Sequence, residues 1–368
     1  MQSELPEIVI GEVINSNIRP WLHFPELISS VMISSYDLIK SKGIVYKIRN
    51  RGGLREYLEL PQGISLWLDS GGYQIMKKQL NIFVEKIAWL YDILDADYYI
   101  SLDYPSIPGE RREIRLKKMK KTIENFDYLV RKLSPRGKII VPVIHFSPKL
   151  EDYDYLINLY SEEYGCKIIA FGGFVPPLLS SKGTKRARLK SVLALYYVSK
   201  LAEKRRIHVM GLGSITTLSI LNTLRIHSTD SAAWRVKAAY GKIILPWGGE
   251  RHVTHRKVNF GRKKLTNDEF IEMIELIKRT RGFPFKYDDL KTFLAKKVFQ
   301  KFEYRALFNA WIILTWAKKT PPKSGPFRQL YNMAKNLRYL SLDEIRELWS
   351  KLDYVKQSDL MKYIIKNT

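Results

Sequence analysis

The sequence predicts an α/β protein built on a (β/α)8 barrel of the TIM type, residues 1–260, followed by a basic helical region, residues 261–368. Two observations lead to this prediction. Short apolar runs rich in β-branched residues recur up to about residue 250, and amphipathic helical patterns lie between them. The runs are apolar on both faces, which is typical of strands in a parallel sheet that is covered by helices.

Eight such runs follow one another along the chain, which is the number that one barrel needs. They are "SSVMISS" (29–35), "ISLWLD" (64–69), "YYISLD" (98–103), "KIIVPVIHF" (138–146), "KIIAFGG" (167–173), "IHVMGLG" (207–213), "LRIHSTD" (224–230) and "KIILPWGG" (242–249). Helical patterns are clear at 111–133 and 185–206, but no helix is evident after the first or the seventh run. A doubly wound open sheet is the alternative, although no G-x-G-x-x-G follows the first run.

The C-terminal region differs from the first 260 residues in its sequence pattern. Long helical patterns rich in Lys, Arg, Tyr and Trp are interrupted by "PPKSGP" (321–326), a turn or linker. Basic outer faces with aromatic residues suit contact with nucleic acid. The alternative is an ordinary helical subdomain whose aromatic side chains pack inward.

The charge indicates a polyanionic partner. The 368 residues carry a formal net charge of +25, with a sequence pI of about 9.8. Lys and Arg gain affinity for nucleic acids by neutralising phosphates and releasing counterions, so nucleic acid is the first candidate partner and an anionic membrane surface the second. A merely basic, solubilising surface is the remaining interpretation.

Cysteine content and the N-terminus indicate a cytoplasmic protein. A single cysteine, Cys166, excludes an intrachain disulfide and a cysteine-rich zinc cluster. The N-terminal residues show no basic segment followed by an apolar one, and no apolar run is long enough to span a bilayer. We therefore expect the protein in the cytoplasm, which is the host cytoplasm if the protein is viral.

Polar residues and glycines come where the predicted strands end. They are Asp69, Asp103, His145, Gly172, Gly173, Met210, Gly211 and Asp230. The carboxyl ends of barrel strands share one face, and that face carries the active site in barrel enzymes. A single Asp after a strand is most often a helix N-cap, but three on one rim favour a pocket. Converging carboxylates can do acid–base work, nucleophilic work or metal binding.

Five motifs in these places resemble the tRNA-guanine transglycosylases, over roughly residues 30–250. They are "LDSGGYQ" (68–74), "SLDYPS" (101–106), "FGGF" (171–174), "VMGLGS" (209–214) and "STDS" (228–231). Members of that family are (β/α)8 enzymes that exchange a guanine base for a 7-deazaguanine. The resemblance therefore implies a pentosyltransferase that needs no cofactor.

The resemblance also implies roles for individual residues. Asp230 would be the nucleophile that attacks C1′ of the sugar, and Asp69 the general acid–base. Asp103 would accept hydrogen bonds from the purine. The implied remaining contacts with the base are stacking by Tyr73 and Met210, backbone approach at Gly172, Gly173 and Gly211, and shaping of the pocket by Ser70 and Gln74.

Three departures from the family bear on the substrate. The family's cysteine-rich zinc site is replaced by "RHVTHRK" (251–257), and the pair His252 and His255 is too small for a structural zinc site, so we expect no metal. The glutamine that ends one family strand is absent from "VPVIHFS" (141–147), where His145 or Phe146 would replace it. The segment after the nucleophile reads "DSAAWRV" (230–236), which leaves Trp234 and Arg235 as candidate substitutes for family residues.

These departures resemble the DNA-acting branch of the superfamily, found mostly in phages, which inserts 7-deazaguanines such as preQ0 into DNA. The expected partners are therefore DNA, or alternatively tRNA, and a 7-deazaguanine base. Two alternatives stay open: a tRNA-guanine transglycosylase without the zinc site, and a catalytically silent nucleic-acid-binding protein on the same scaffold. An ordinary glycosidase would not explain the charge.

Overall fold

Nine parallel strands form the main sheet of the protein. The computed structural model describes residues 6–41, 43–80, 82–107, 109–179, 184–254, 263–280, 282–317, 321–322 and 325–352. The strands are β1 Glu7–Glu12, β2 Ser30–Ser34, β3 Ser65–Asp69, β4 Tyr98–Ile100, β5 Ile140–Val141, β6 Val143–His145, β7 Ile168–Gly172, β8 Arg206–Val209 and β9 Ser228–Ser231. Their spatial order is β5-β4-β3-β2-β1-β9-β8-β7-β6.

The two outer strands of this order nearly close the sheet into a barrel. Only Pro142 separates β5 from β6 along the chain, and proline has no N–H to give to a ladder. Its carbonyl still accepts from the Ala170 N–H at 2.9 Å, while the Val141 carbonyl on its other side accepts from the Ser101 N–H at 2.9 Å. One stretch of chain therefore joins both edges of the sheet. The expected α/β class and parallel sheet are confirmed.

Helices lie between the strands and after the last of them. They are α1 Ser35–Lys40, α2 Ile44–Asn50, α3 Leu54–Leu58, α4 Gly72–Lys77, α5 Val84–Ile93, α6 Arg112–Leu133, α7 Leu150–Asn158, α8 Val175–Leu179, α9 Lys185–Leu201, α10 Leu218–Thr223, α11 Ala233–Ala239, α12 Asn267–Lys278, α13 Leu290–Phe293, α14 Phe302–Ile312, α15 Gly325–Leu337 and α16 Leu342–Lys351. The helices α1 and α11 follow the runs after which the sequence shows no clear helix. Among the described helices, none is both long and apolar enough to cross a bilayer.

The prediction that the eighth run, residues 242–249, is a strand of the barrel is wrong. The run 242–249 contributes β10 Lys242–Ile244, which pairs antiparallel with β11 Glu250–His252 in a separate hairpin. Gly248 and Gly249 have φ values of +101° and +86°, so the chain turns back there instead of continuing as a strand. The place in the main sheet is taken by β1, which pairs with β2 and β9.

A small apolar cluster fills the inside of the barrel-like sheet, separate from the larger core under the helices. Its members are Val9, Met32, Trp67, Ile100, Val141, Val143, Ile168 and Ala170. Because successive side chains of a strand point to opposite faces, the residues between these members pack outward against the helices. The imidazole of His208 also lies inside, stacked on Trp67 with the ring centroids 4.9 Å apart.

Helices of the C-terminal region pack directly on the barrel layer. The Asn309 side chain accepts from the Ile244 N–H at 2.8 Å and donates to the carbonyls of Trp234 and Lys242 at 3.1 and 3.0 Å. The buried Trp349 donates from its indole nitrogen to the Pro148 carbonyl at 3.1 Å. These aromatic and polar side chains therefore serve packing. The predicted boundary near residue 260 and residues 353–368 lie outside the described residues.

Candidate active site

Three aspartates lie at the carboxyl end of the parallel sheet. Asp69 is the last residue of β3, Asp103 follows β4 by three residues, and Asp230 lies within β9. The carboxylates are close enough that the charges of Asp103 and Asp230 both raise the pKa of Asp69. The acids that the sequence predicts at one rim therefore form a cluster.

The Asp69 carboxyl can both hold and release a proton near neutrality. Burial is the largest cause that raises its pKa, to about 7, and the negative charges of Asp103 and Asp230 follow as further causes. The Gly71 N–H and the Ser34 hydroxyl act in the opposite direction, since both donate to Asp69 Oδ2, at 3.1 and 3.3 Å. Burial therefore contributes more to the raised pKa than the neighbouring charges do.

The glycine pair after Asp69 lets helix α4 begin against Asp103. Gly71 has a φ of +79°, which favours glycine. A Cβ on Gly72 would lie 2.1 Å from Asp103 Oδ1, far inside contact distance. The two glycines therefore give the chain both the turn and the close approach that bring β3 and Asp103 together.

Asp103 is contacted by Ser70, from the turn after β3, and by His145, the last residue of β6. Its carboxyl is only 4% exposed, with His145 Nε2 2.9 Å from Oδ2 and the Ser70 hydroxyl donating to Oδ1 at 3.3 Å. Below it lies the buried Tyr91 of α5, whose hydroxyl is 2.6 Å from the Ile100 carbonyl and 3.2 Å from the Leu68 carbonyl. Tyr91 therefore connects α5 to the ends of β3 and β4. These contacts fix the carboxylate that the resemblance assigns to recognition of the purine.

His145 lies between Asp103 and the glycines that end β7. A Cβ on Gly172 would meet His145 Nδ1 at 3.0 Å, so the missing side chain leaves room for the imidazole. Gly173 has a φ of +77° and turns the chain away from the strand. Neither ring nitrogen of His145 makes a well-directed hydrogen bond within the described part of the chain.

Asp230 presents two unlike carboxylate oxygens. Its Oδ1 accepts from the Gly211 N–H at 2.6 Å and lies 3.4 Å from His208 Nε2. Within the described ranges, Oδ2 accepts no hydrogen bond, and 19% of the side chain is exposed. Gly211 has a φ of +73°, the backbone conformation that aims its N–H at Asp230.

His208 is a residue of the site that the sequence patterns did not single out. Its side chain is fully buried, and its Nδ1 lies 3.0 Å from the Ser228 hydroxyl. His208 and Met210 alternate with outward-facing Ile207 and Val209 along β8, so both point into the barrel. A polar residue on the inward face of an otherwise apolar strand is the signal that could have found it.

The remaining predicted site residues, Tyr73, Gln74 and Met210, lie on α4 and directly after β8. Tyr73 is 52% exposed on the first turn of α4. Gln74 is partly buried on the same helix, and Met210 packs on the inner apolar cluster. Among the contacts of the described residues, no hydrogen bond joins Tyr73 or Gln74 to the three carboxylates.

Trp234 and Arg235 take structural places beside β1. The buried Trp234 donates from its indole nitrogen to the Gly11 carbonyl at 3.3 Å. The Arg235 guanidinium lies 2.6 Å from Glu12 and also donates to the Ser16 hydroxyl. Burial raises the pKa of Glu12 to about 7, against the opposing charge of Arg235. Arg235 is thus tied to a buried carboxyl at the end of β1.

No metal centre is evident in the described ranges. Within them, no three side chains of His, Cys, Asp or Glu are grouped so as to hold an ion. His252 lies in β11, and its predicted partner His255 lies outside the described residues.

Comparison with known proteins gives one viral relative. Among the protein-family models compared with the chain, none matches. The chain is 30% identical over 309 residues to a protein of Sulfolobus islandicus rod-shaped virus 1 described as "Uncharacterized protein 306". The aligned stretch covers 83% of this chain and 81% of the viral protein.

Proposed function

The chain belongs to the same family as protein 306 of Sulfolobus islandicus rod-shaped virus 1, and from the site described above we propose that it is a DNA-guanine transglycosylase. On this proposal the nearly closed sheet is a (β/α)8 barrel in which β5 and β6 count as one strand. The enzyme exchanges guanine in DNA for a 7-deazaguanine of the preQ0 type. Its place of action is the cytoplasm, or the host cytoplasm for a viral protein.

The observation that carries the proposal is the cluster of three unlike carboxylates at one end of the sheet. Asp230 has an oxygen that no described residue holds, and Asp69 has a pKa of about 7. Asp103 is buried, accepts from the Ser70 hydroxyl and has His145 Nε2 2.9 Å from its other oxygen. Base exchange needs these three properties in one place: a nucleophile, a proton carrier and a group that recognises the base.

The exchange runs in two displacements at C1′. In the first, Asp230 Oδ2 bonds to C1′ as the bond between C1′ and guanine N9 breaks, and Asp69 gives its proton to the leaving base. In the second, Asp69 takes the N9 proton of the incoming 7-deazaguanine, whose nitrogen bonds to C1′ as the ester to Asp230 breaks. Asp69 is thereby returned to its starting protonation state, which its pKa of about 7 permits in both directions.

Recognition of the base falls to the residues around Asp103. Its carboxylate accepts from the purine N1–H and exocyclic amine, while Ser70 and His145 hold it in place. His145 takes the position of the family's glutamine, next to Gly172 and Gly173 where the ring edge approaches the backbone. Tyr73 and Met210 close on the two faces of a guanine that has flipped out of the stack.

The proposal needs neither a cofactor nor a metal ion, because both displacements use carboxylates alone. From the sequence alone, the basic C-terminal region, residues 261–368, is the part expected to contact the phosphate backbone. A tRNA-guanine transglycosylase without the zinc site, and a silent binding protein, are the alternatives that the experiment must separate.

Nucleoside analysis tests the proposal directly. The protein is expressed in cells supplied with preQ0, and host DNA and tRNA are digested separately and examined by mass spectrometry. We expect a 7-deazaguanine deoxynucleoside in DNA with the wild type and none with Asp230→Asn, which keeps the shape of the side chain. Modified tRNA alone would favour the tRNA enzyme, and no modified nucleoside despite nucleic-acid binding would favour the silent protein.

A further inference from the structure

The first half of helix α6 concentrates positive charge at the mouth of the barrel. Residues 111–121, "RREIRLKKMKK", contain seven basic residues and one acid. The helix begins at Arg112, after the loop that follows β4 and Asp103. Its N-terminal half therefore lies at the same end of the sheet as the three carboxylates.

Most of these cations form no ion pair with another residue that the structure describes. Lys118 pairs with Glu110 at 2.7 Å and Lys121 with Glu124 at 3.8 Å. Within the described residues, no ion pair involves the others, which are Arg111, Arg112, Arg115, Lys117 and Lys120. Unpaired cations in such density repel one another, so a polyanion that binds there relieves the repulsion as well as gaining its own contacts.

A cleft separates this helix from the loop after β6. It is bordered on one side by Arg112 and Arg115 and on the other by Lys149. His145, whose Nε2 lies 2.9 Å from Asp103, borders it next to the three carboxylates. The one acid that lines the cleft among the described residues is Asp152, and it already accepts from the Ser147 hydroxyl.

We propose that this cleft, between α6 and Lys149, holds the phosphodiester backbone of the substrate strand beside the flipped guanine. The inference rests on the proposed function for the nature of the partner, a single-stranded stretch of DNA. Arg112, Arg115 and Lys149 neutralise its phosphates. Leu116, which lines the cleft and is 38% exposed between the charges, contacts sugars and base faces.

This placement differs from the sequence-based expectation of a contact in residues 261–368. Buried packing against the barrel occupies aromatic residues of that region, as Trp311 and Trp349 show. The cleft, in contrast, lies open beside Asp103, and Arg112 and Arg115 on its wall form no ion pair within the described residues. A strand in the cleft stays close to the site, whereas one held only by the C-terminal helices would have to reach it from a separate surface layer.

Salt-dependent binding of a fluorescently labelled single-stranded DNA oligonucleotide tests the proposal on the full-length protein without any turnover. The double variant Arg112→Gln/Arg115→Gln is compared with Lys167→Gln/Lys204→Gln, which removes the same charge from positions before β7 and β8, at the opposite end of the sheet. We expect the negative slope of log affinity against log salt to become shallower by about 1.4 for the cleft variant, and the affinity to fall about tenfold near 0.1 M salt. The control variant keeps the wild-type slope.

Two further variants test the opposite wall of the cleft and the C-terminal helices. Lys149→Gln on the other wall should make the negative slope shallower by about 0.7, which supports the cleft even if the double variant folds poorly. A slope unchanged from the control in both cleft variants overturns the inference and leaves the proposed function standing. Loss of binding in Lys296→Gln/Lys297→Gln instead, with the cleft variants unchanged, places the strand on the C-terminal helices and overturns it too. A wild type that binds no nucleic acid overturns both proposals.

Discussion

At the scale of single residues, the two oxygens of Asp230 have different surroundings, and this decides which one can react. The Gly211 N–H and the nearby His208 Nε2 both face Oδ1. Because a carboxylate only accepts, the arrangement that suits all groups has the Ser228 hydroxyl donating to His208 Nδ1 and the Nε2–H facing Asp230. On the proposed function Oδ2 is then the nucleophile, and the Gly211 N–H, with the His208 ring beside it, stabilises the carboxylate each time it leaves.

On the same proposal His208 positions the nucleophile, and removing its ring N–H should slow the chemistry more than it weakens binding. We expect His208→Leu to lower kcat for exchange about tenfold, equivalent to about 1.4 kcal/mol, with KM little changed. His208→Gln keeps a donor amide and should recover part of the rate. The measurement is steady-state exchange of labelled base, with thermal melting to show that both variants fold. Equal losses in the two variants would contradict a positioning role.

The raised pKa of Asp69 also has a consequence for stability. The unfolded carboxyl ionises at its ordinary, lower pKa, so the folded protein binds more protons as pH rises towards 7. The contribution of Asp69 to stability is present below its unfolded pKa and is lost as pH rises through about 7. Burial of the ionised carboxyl near two other acids is the physical cause.

Asp69→Asn should remove this pH dependence. We expect the melting temperature of the variant, relative to wild type, to increase between pH 4 and pH 8 by at least about 2 °C. Because Glu12 also has a raised pKa, only the difference between the two proteins isolates Asp69. A constant difference across this range would show that Asp69 titrates normally. The same variant should have no exchange activity.

At the scale of elements, the polar residues at the strand ends can be predicted from the sequence, but the full set of strands cannot. Carboxyl ends of parallel strands share one edge, so the sequence alone suffices to place Asp69, Asp103 and Asp230 together. Short apolar runs, however, look alike whether they enter the sheet or form a hairpin. The sequence therefore favours the run 242–249 over β1, whose apolar stretch is interrupted by Gly11 and bounded by acids.

The turn between β3 and α4 should tolerate no side chain at Gly72. An alanine Cβ there would lie 2.1 Å from Asp103 Oδ1 and 2.5 Å from its carbonyl oxygen, so either Asp103 or the start of α4 must move. We expect Gly72→Ala to lower kcat/KM about 100-fold, because misplacement of a recognition group by about 1 Å has an effect of that size. Exchange kinetics measure it.

Gly137→Ala is the matched control. Gly137 has a φ of +76° and open space around its Cα, so the substitution carries a backbone cost without a contact at the site. We expect its activity to stay near wild type. A Gly72→Ala variant as active as this control would mean that Asp103 moves freely and is not the fixed group that the proposal requires.

At the scale of the whole molecule, the class of fold, the parallel sheet and the basic character can be predicted from the sequence, because periodicity and charge are sums over many residues. The sequence could not show which oxygen of Asp230 is held, or that Arg235 pairs with Glu12, because such contacts join residues far apart in the chain. It also could not decide whether Trp311 and Trp349 pack inward, since aromatic composition suits both a binding surface and a core.

The inward packing of the C-terminal helices makes them part of the stability of the barrel. Asn309 alone joins α14 to β10 and α11 through three hydrogen bonds to backbone groups. Removing the amide leaves one N–H and two carbonyls without these partners. Since an unsatisfied buried polar group costs about 1–3 kcal/mol, we expect Asn309→Ala to lower the free energy of unfolding by about 3 kcal/mol.

Chemical denaturation measures this loss, with Asn332→Ala as control, since Asn332 is exposed on α15 and makes no side-chain hydrogen bond within the described residues. Because one continuous apolar core runs from the barrel layer into α14, α15 and α16, the loss should appear as a shift of a single transition. An early separate transition in Asn309→Ala, with the main one unmoved, would show instead that the C-terminal helices unfold independently and that the barrel does not depend on them.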